Sequence, residues 1–343
     1  MAECREKPGP AECARLRAAD PAKVRLGRYP FLAGIKYFVA KNEPYMSPTT
    51  IYENTKKLRY FAEVFERLKA EGALDTTDPR RFGELHFSEF FLWMRRKGLS
   101  VTTQTKYYQT LKTYLMTWQN TTFADLKLKG IVRTPRNEKS KPIKALTVEE
   151  VRTIFAAADR MKGWGGIMIR GYIALAFGTA CRPKEIILAP EKDLDLEKRR
   201  FYIRHPKGEG SWAEPQWIGI VREDMVRKLE CFMEERAEYM AANGLRSDFL
   251  FFNKKTGDHY TLNGFHMMKA RIEKATGIEF ALKDFRSTFC SIMISGNLAL
   301  LKPVSLQLRH SSVKTTEMFY AKICESSEIS AAIGDVWKDS AID

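Results

Sequence analysis

Residues 133–145 read Arg-Thr-Pro-Arg-Asn-Glu-Lys-Ser-Lys-Pro-Ile-Lys-Ala, a stretch that cannot run through a compact core. Its two prolines interrupt any helix, its five cations resist burial, and almost nothing in it is apolar, so it reads as an extended linker. A chain of 343 residues has enough length to bury a core on either side of it. The expected organisation is therefore an arm over 1–28, a first folded body over 29–132, the basic linker, a second body over 146–323 and a tail over 324–343. The net charge of +15 points to a polyanionic partner. Residues 1–135 carry 24 Lys and Arg against 14 Asp and Glu, and the remaining 208 carry 33 against 28, so the front of the chain is the stronger electrostatic handle.

Residues 1–28 are rich in Ala, Pro and charge and lack a clear period, which suggests a flexible or weakly helical arm. From Ser47 the period becomes helical: Ile51, Leu58, Phe61, Phe65 and Leu68 recur near every 3.6 residues, and Glu71-Gly72 closes the helix. A second helix is expected over about Phe87 to Lys97, stopped by Gly98. A third starts at Thr102 or Thr103 and carries Tyr108, Leu111, Leu115 and Trp118 on one face. Lys56 and Lys57, Arg95 and Arg96, and Lys106 and Lys112 lie on the other faces of these three helices, where they are candidates for holding DNA phosphates.

After the linker, Thr147 and Glu150 form a T-x-x-E capping box that opens a helix to about Ala158. An apolar helix over Gly165 to Thr179 follows. Strands at Arg200–Arg204 and Gln216–Val221 flank Pro206-Lys207-Gly208-Glu209-Gly210, a hairpin with a glycine-rich tip. Helices return over Asp224–Asn243, Leu262–Thr276 and about Lys283–Ser295. The fold class is mainly α with a small antiparallel β-hairpin or sheet.

No apolar run approaches the roughly 20 residues that span a bilayer, and the N-terminus lacks the apolar stretch of a signal peptide. The six cysteines are scattered without a C-x-x-C pair, and the five histidines show no metal-ligand spacing. These features suggest a reducing cytoplasm and no metal or other cofactor.

Several residues of the second body suit an anion. Arg182 and Glu185 lie three apart at a helix start in Arg182-Pro183-Lys184-Glu185, and so share a face. An arginine there offers a planar fork that binds two phosphate oxygens at once. Lys207 on its mobile, Gly-flanked tip could reach into a DNA groove. Lys283 and Arg286 also lie three apart, and an anion between them would offset their repulsion. Taken alone, His310 reads as a structural hydrogen-bonding histidine and Tyr320 as an ordinary aromatic residue.

Taken together and in order, these segments resemble the tyrosine recombinase (phage integrase) family. The resemblance covers 146–323, and the helical body before the linker resembles that family's core-binding domain. The family's first box, R-x-x-E, is matched by Arg182 and Glu185, and its hairpin lysine by Lys207. Its second box, H-x-x-R with lysine as a variant, is matched by Lys283 and Arg286. Its third box, L-G-H, is matched by Leu308 and His310, with the nucleophilic tyrosine nine or ten residues later, here Tyr320. The chain departs from the pattern at Lys283, at Arg309 in place of the glycine, and at Phe319, which leaves Tyr320 as the candidate nucleophile of that segment.

The resemblance implies a site-specific DNA recombinase or integrase that breaks strands through a 3′-phosphotyrosyl link, without metal or ATP. Tyr320 would attack, Arg182 and Arg286 would neutralise the phosphate, and His310 would position Tyr320 or move its proton. Lys207 would protonate the leaving oxygen, Lys283 would bind phosphate, and Glu185 would orient the basic cluster. The implied partner is double-stranded DNA, bound by four copies in a synapse and by a monomer or dimer when free, with no membrane. In the tail, Ile329, Ala332, Ile333, Val336 and Trp337 fall on one helical face suited to contact with a neighbouring copy. A type IB topoisomerase-like relaxing enzyme and a DNA-binding regulator with a decayed site are the alternatives.

Overall fold

A computed structural model describes residues 8–133, 144–210 and 212–317. The chain divides into two compact units, Met1–Ser140 and Lys141–Asp343.

The first unit is helical: α1 (Pro10–Ala18), α2 (Pro30–Asn42), α3 (Pro48–Ala70), α4 (Glu84–Arg96), α5 (Val101–Thr117) and α6 (Thr122–Leu128). Ser47 caps α3 and Ser100 caps α5, each accepting a backbone N–H three residues on. The apolar stripe expected on α3 is buried, and it meets aromatic residues from every side: Phe31, Phe61, Phe65, Phe82 and Phe90 are all at most 1% exposed. The Tyr114 hydroxyl donates to the Phe31 carbonyl at 2.7 Å, which satisfies it inside this aromatic core.

The stretch read as a flexible or weakly helical arm is helical over α1 and docked. Lys36 pairs with Glu12 at 3.3 Å, Tyr37 donates to the Ala19 carbonyl, and Arg80 donates to the carbonyls of Pro21, Ala22 and Val24. These partners are 18 to 59 residues away in the chain, so no local period announces them. The period does not mark α2 either, because eight of its thirteen residues are buried.

The second unit is built around α8 (Gly163–Thr179). Nearly all of its residues from Ile167 to Thr179 are buried, as expected of a helix that is apolar all round. It is packed by α7 (Val148–Asp159), α10 (Glu223–Asn243), α11 (Leu262–Thr276) and α12 (Asp284–Gly296). The capping box at the start of α7 forms as expected: the Thr147 N–H donates to Glu150 at 2.8 Å, and the Glu150 N–H donates to the Thr147 hydroxyl at 3.1 Å.

Short α9 (Pro183–Ile187) follows α8, and α13 (Leu301–Gln307) follows α12. The hairpin strands β2 (Arg200–Ile203) and β3 (Gln216–Gly219) pair antiparallel, Phe201 opposite Ile218. A two-residue strand, β1 (Leu194–Asp195), extends the sheet in the order β1-β2-β3 and is too short to leave a periodic signal. The fold is thus mainly α with a small antiparallel sheet. No described helix is long and apolar enough to cross a membrane.

Glycine lets α8 and α10 approach closely. A Cβ at Gly171 would stand 2.5 Å from the Phe232 ring. Gly171→Ala should therefore destabilise the second unit by about 1–3 kcal/mol, through overpacking of a filled core. Chemical denaturation would show the midpoint falling while the slope with denaturant holds.

Candidate active site

The end of α8 builds one wall of the site. Thr179, fully buried, donates its hydroxyl to the Leu175 carbonyl and accepts from the Cys181 N–H. Ala180 then takes a left-handed backbone, φ 56°, which ends the helix and turns its carbonyl to the Arg286 guanidinium at 2.8 Å. Arg182 is the N-cap of α9. Its backbone N–H donates to Glu185 Oε2 at 2.8 Å and its Nη1 to Glu185 Oε1 at 2.9 Å, so the expected shared face is a bonded pair.

The other wall comes from α12, α13 and the turn after it. A small apolar cluster of Ala180, Phe289, Cys290, Ile294, Val304 and Leu308 packs α12 against α13 and the end of α8. Above it, Arg286 reaches across to donate to the carbonyls of Ala180 and Leu308. Gln307 donates to the Thr179 and Gly219 carbonyls, which ties α13 to α8 and to β3. Arg309 follows with φ 51° and buries its guanidinium against Glu185. His310 then places Nδ1 2.8 Å from the hydroxyl of Thr316, a fully buried residue in the helical turn 313–317.

Arg182 and Arg309 thus clamp the Glu185 carboxylate, and Arg286 lies within reach of its charge. Burial and the charges of Arg182 and Arg309, opposed by Glu185, lower Arg286 to about 10, still cationic at neutral pH. Burial, then Arg286, Arg182 and Arg309, press His310 down to about 4. Burial raises the neighbouring Cys181 thiol to about 11, so it stays protonated and inert. The result is a positively charged recess with a neutral imidazole at its edge, suited to an anion whose charge grows during reaction.

Arg182, Glu185, Arg286 and His310, expected from the sequence, are brought together. Two expected residues stand apart from this cluster. Lys207 is exposed in the hairpin turn, where Trp212 folds back on Gly208. Lys283 caps α12 with its side chain exposed rather than beside Arg286, because Arg286 turns inward to its two carbonyls. Neither lysine is among the charges acting on Arg286 or His310.

Tyr320 lies outside the described residues, as do Phe319 and the tail 324–343. In the first unit, Lys56, Arg95, Arg96 and Lys106 are exposed, while Lys57 and Lys112 are half-buried. Arg96 also reaches Glu89 at 3.4 Å. The sequence did not single out Thr316 or Gln307, whose contacts are made only after folding. Arg309 gave one signal, its place where the resembled box has glycine. Among the described residues, no cluster of three or more His, Cys, Asp or Glu is placed to hold a metal ion.

The profile of the phage integrase family matches residues 144–326. No curated protein sequence matches the chain. Among solved structures, the chain is similar to the Tn1549 transposon integrase in complex with transposon right end DNA, at TM-score 0.63 and 16% identity, over 88% of this chain and 99% of that one. It is similar to the XerH site-specific recombinase bound to a palindromic difH substrate, at TM-score 0.59 and 17% identity, over 98% and 93%. It is also similar to a lambda integrase dimer bound to a COC′ core site, at TM-score 0.57 and 14% identity, over 85% and 95%. At these identities the structural likeness establishes the fold.

Proposed function

The chain belongs to the phage integrase family of tyrosine recombinases, and on that premise we propose that it breaks and rejoins DNA strands at a specific site through a 3′-phosphotyrosyl intermediate. The observation that carries the reading is the clustering of three guanidinium groups, Arg182 and Arg309 paired with the buried Glu185 and Arg286 bonded to the Ala180 and Leu308 carbonyls, beside a neutral His310. A scissile phosphate in this recess would meet fixed donors that need no reorganisation as charge builds.

In the step we assign, the Tyr320 oxygen attacks phosphorus and the bond to the 5′-oxygen breaks. The tyrosine proton passes to the imidazole, and Lys207, carried in on its hairpin turn, protonates the departing 5′-oxygen. In the tautomer whose Nδ1 donates to the Thr316 hydroxyl, 2.8 Å away, Nε2 is free to accept the tyrosine proton. Arg182 and Arg286 hold the non-bridging oxygens, Glu185 orients Arg182, and Lys283 grips the phosphate from outside the cluster. A 5′-hydroxyl from another strand then displaces the tyrosine, so no ATP is spent.

The first unit supplies phosphate contacts through Lys56, Lys57, Arg95, Arg96, Lys106 and Lys112, and four copies assemble two duplexes in a synapse. The structures of the Tn1549 integrase, XerH and lambda integrase named above contain DNA, which supports double-stranded DNA as the partner.

The test is to trap covalent protein–DNA complexes on host genomic DNA with detergent, sequence the broken ends and place the mapped site in a nicked duplex. Adduct on that duplex, and exchange between two of them, is expected. Efficient relaxation of site-free plasmid by the monomer, without strand exchange, would instead mark a relaxing enzyme.

The acid limb of adduct formation should fall near pH 4 rather than near 6.5, the ordinary value of histidine, because the imidazole stays a free base down to its lowered value. A rate measured against pH on the nicked duplex checks this. The same shift bears on stability. The unfolded chain takes up a proton below 6.5 that the fold refuses until about 4, so His310's contribution is complete above 6.5 and is lost as the pH falls towards 4.

A further inference from the structure

Arg309 occupies a position where glycine would be at ease. Its φ of 51° lies in the left-handed region, and a side chain other than glycine or asparagine is disfavoured there. Its side chain is nonetheless 3% exposed and paired with the Glu185 side chain, itself 2% exposed, and its Nε is buried with no hydrogen-bond partner among the described residues. Neither a left-handed backbone nor a buried ion pair improves stability over glycine. What the arginine adds is a fixed bond to Glu185 and a positive charge next to His310.

Building on the strand-cleavage reading above, we propose that Arg309 is a further positioning residue of this site, holding Glu185 and hence Arg182 in place while its charge repels a proton from the adjacent imidazole. The hydrogen bonds carry the clamp, and the burial of the Arg309 charge in the residue before His310 carries the repulsion. Glu185 Oε2 accepts from the Arg182 N–H and from Arg309, and Oε1 accepts from Arg182 Nη1. One carboxylate is thus clamped between two guanidinium groups and cannot swing towards the phosphate or towards His310.

The charged groups acting on His310 are Arg286 of α12, Arg182 of α9 and Arg309 in its own turn, while Glu185 and the Cys181 thiol act on those arginines rather than on the imidazole. Thr316 adds a neutral contact from the turn 313–317. With Arg309 present, three guanidinium charges act on the imidazole; without it two remain, so the imidazole takes a proton more readily.

The test compares Arg309→Gly and Arg309→Lys with the unaltered protein. Glycine suits the left-handed backbone, and Glu185 keeps Arg182, so the variant should fold; the lysine variant restores charge without the planar fork. Two readouts are needed. One is the NMR titration of His310 in isotope-labelled protein, assigned with His310→Gln. The other is the pH profile of adduct formation on the mapped nicked duplex.

We expect Arg309→Gly to raise the His310 midpoint by about half a pH unit, since burial, Arg286 and Arg182 each press on it harder than Arg309 does, with the acid limb of adduct formation moving up in parallel. Arg309→Lys should keep both near their original positions. An unmoved midpoint in Arg309→Gly, or a loss of adduct equal at every pH, would reduce Arg309 to a packing role and overturn the proposal. If the midpoint moves but the unaltered protein forms no adduct, strand cleavage is the reading that fails, while the electrostatic role of Arg309 stands.

Discussion

Tyr320→Phe is expected to leave no covalent protein–DNA complex on a nicked duplex carrying the mapped site, a loss of about 10,000-fold or more. The substitution removes only the hydroxyl oxygen, so DNA binding to the same duplex, followed by gel shift, is retained. Tyr320 is the candidate nucleophile in its segment because its neighbour Phe319 has no oxygen to offer. Adduct formation that survives in Tyr320→Phe would assign the attack to another side chain, and the order of Arg182, Arg286, His310 and Tyr320 along the chain would lose its chemical meaning.

Arg286→Ala should lower the rate of adduct formation by about 100- to 1,000-fold, the usual consequence of losing one fixed donor to a developing anion. This effect has two sources. Arg286 faces the recess that Arg182 and Arg309 share, and it is also the strut that bonds the Ala180 carbonyl to the Leu308 carbonyl. Removing it leaves two carbonyls without their donor, which destabilises the fold. Arg286→Lys separates the two contributions. It keeps a charge but cannot bridge both carbonyls and the phosphate with a planar fork. Single-turnover rates at saturating protein, read beside thermal unfolding of each variant, should show a rate loss in Arg286→Lys larger than its change in stability accounts for.

Much of this site can be read along the chain because its residues sit at element boundaries that local chemistry marks. Thr147 and Glu150 announce α7, Pro183 announces α9, and the glycines around Lys207 announce the hairpin. Arg182 and Glu185 are three residues apart, so their pairing follows from helical geometry alone. The contacts that turn these pieces into a recess are of another kind. Arg309 meets Glu185 across 124 residues, Arg286 meets Ala180 across 106, and Gln307 meets Thr179 across 128. No periodicity encodes such pairs; they exist only once α12 and α13 have packed on α8.

The Lys283 and Arg286 pair shows the limit from the other side. Their spacing correctly puts both at the start of one helix, but spacing cannot tell that two unbonded carbonyls would draw Arg286 inward and leave Lys283 in solvent. Likewise α1 lacks an amphipathic stripe and is held by Glu12, Arg17 and Ala19 through partners on α2. Pro10 at its start, Glu12 in its first turn and Arg15 and Arg17 in its last favour a helix locally, and the docking contacts fix where it lies.

The central claim is a tyrosine-linked DNA intermediate formed inside an arginine-lined recess. It is tested most directly by isolating the covalent complex from the nicked duplex, digesting the protein and identifying the peptide and the DNA end that remain joined. The account predicts a phosphodiester between Tyr320 and the 3′ end of the broken strand, with a free 5′-hydroxyl on the other side. A link through any other residue, or to the 5′ end, would contradict it.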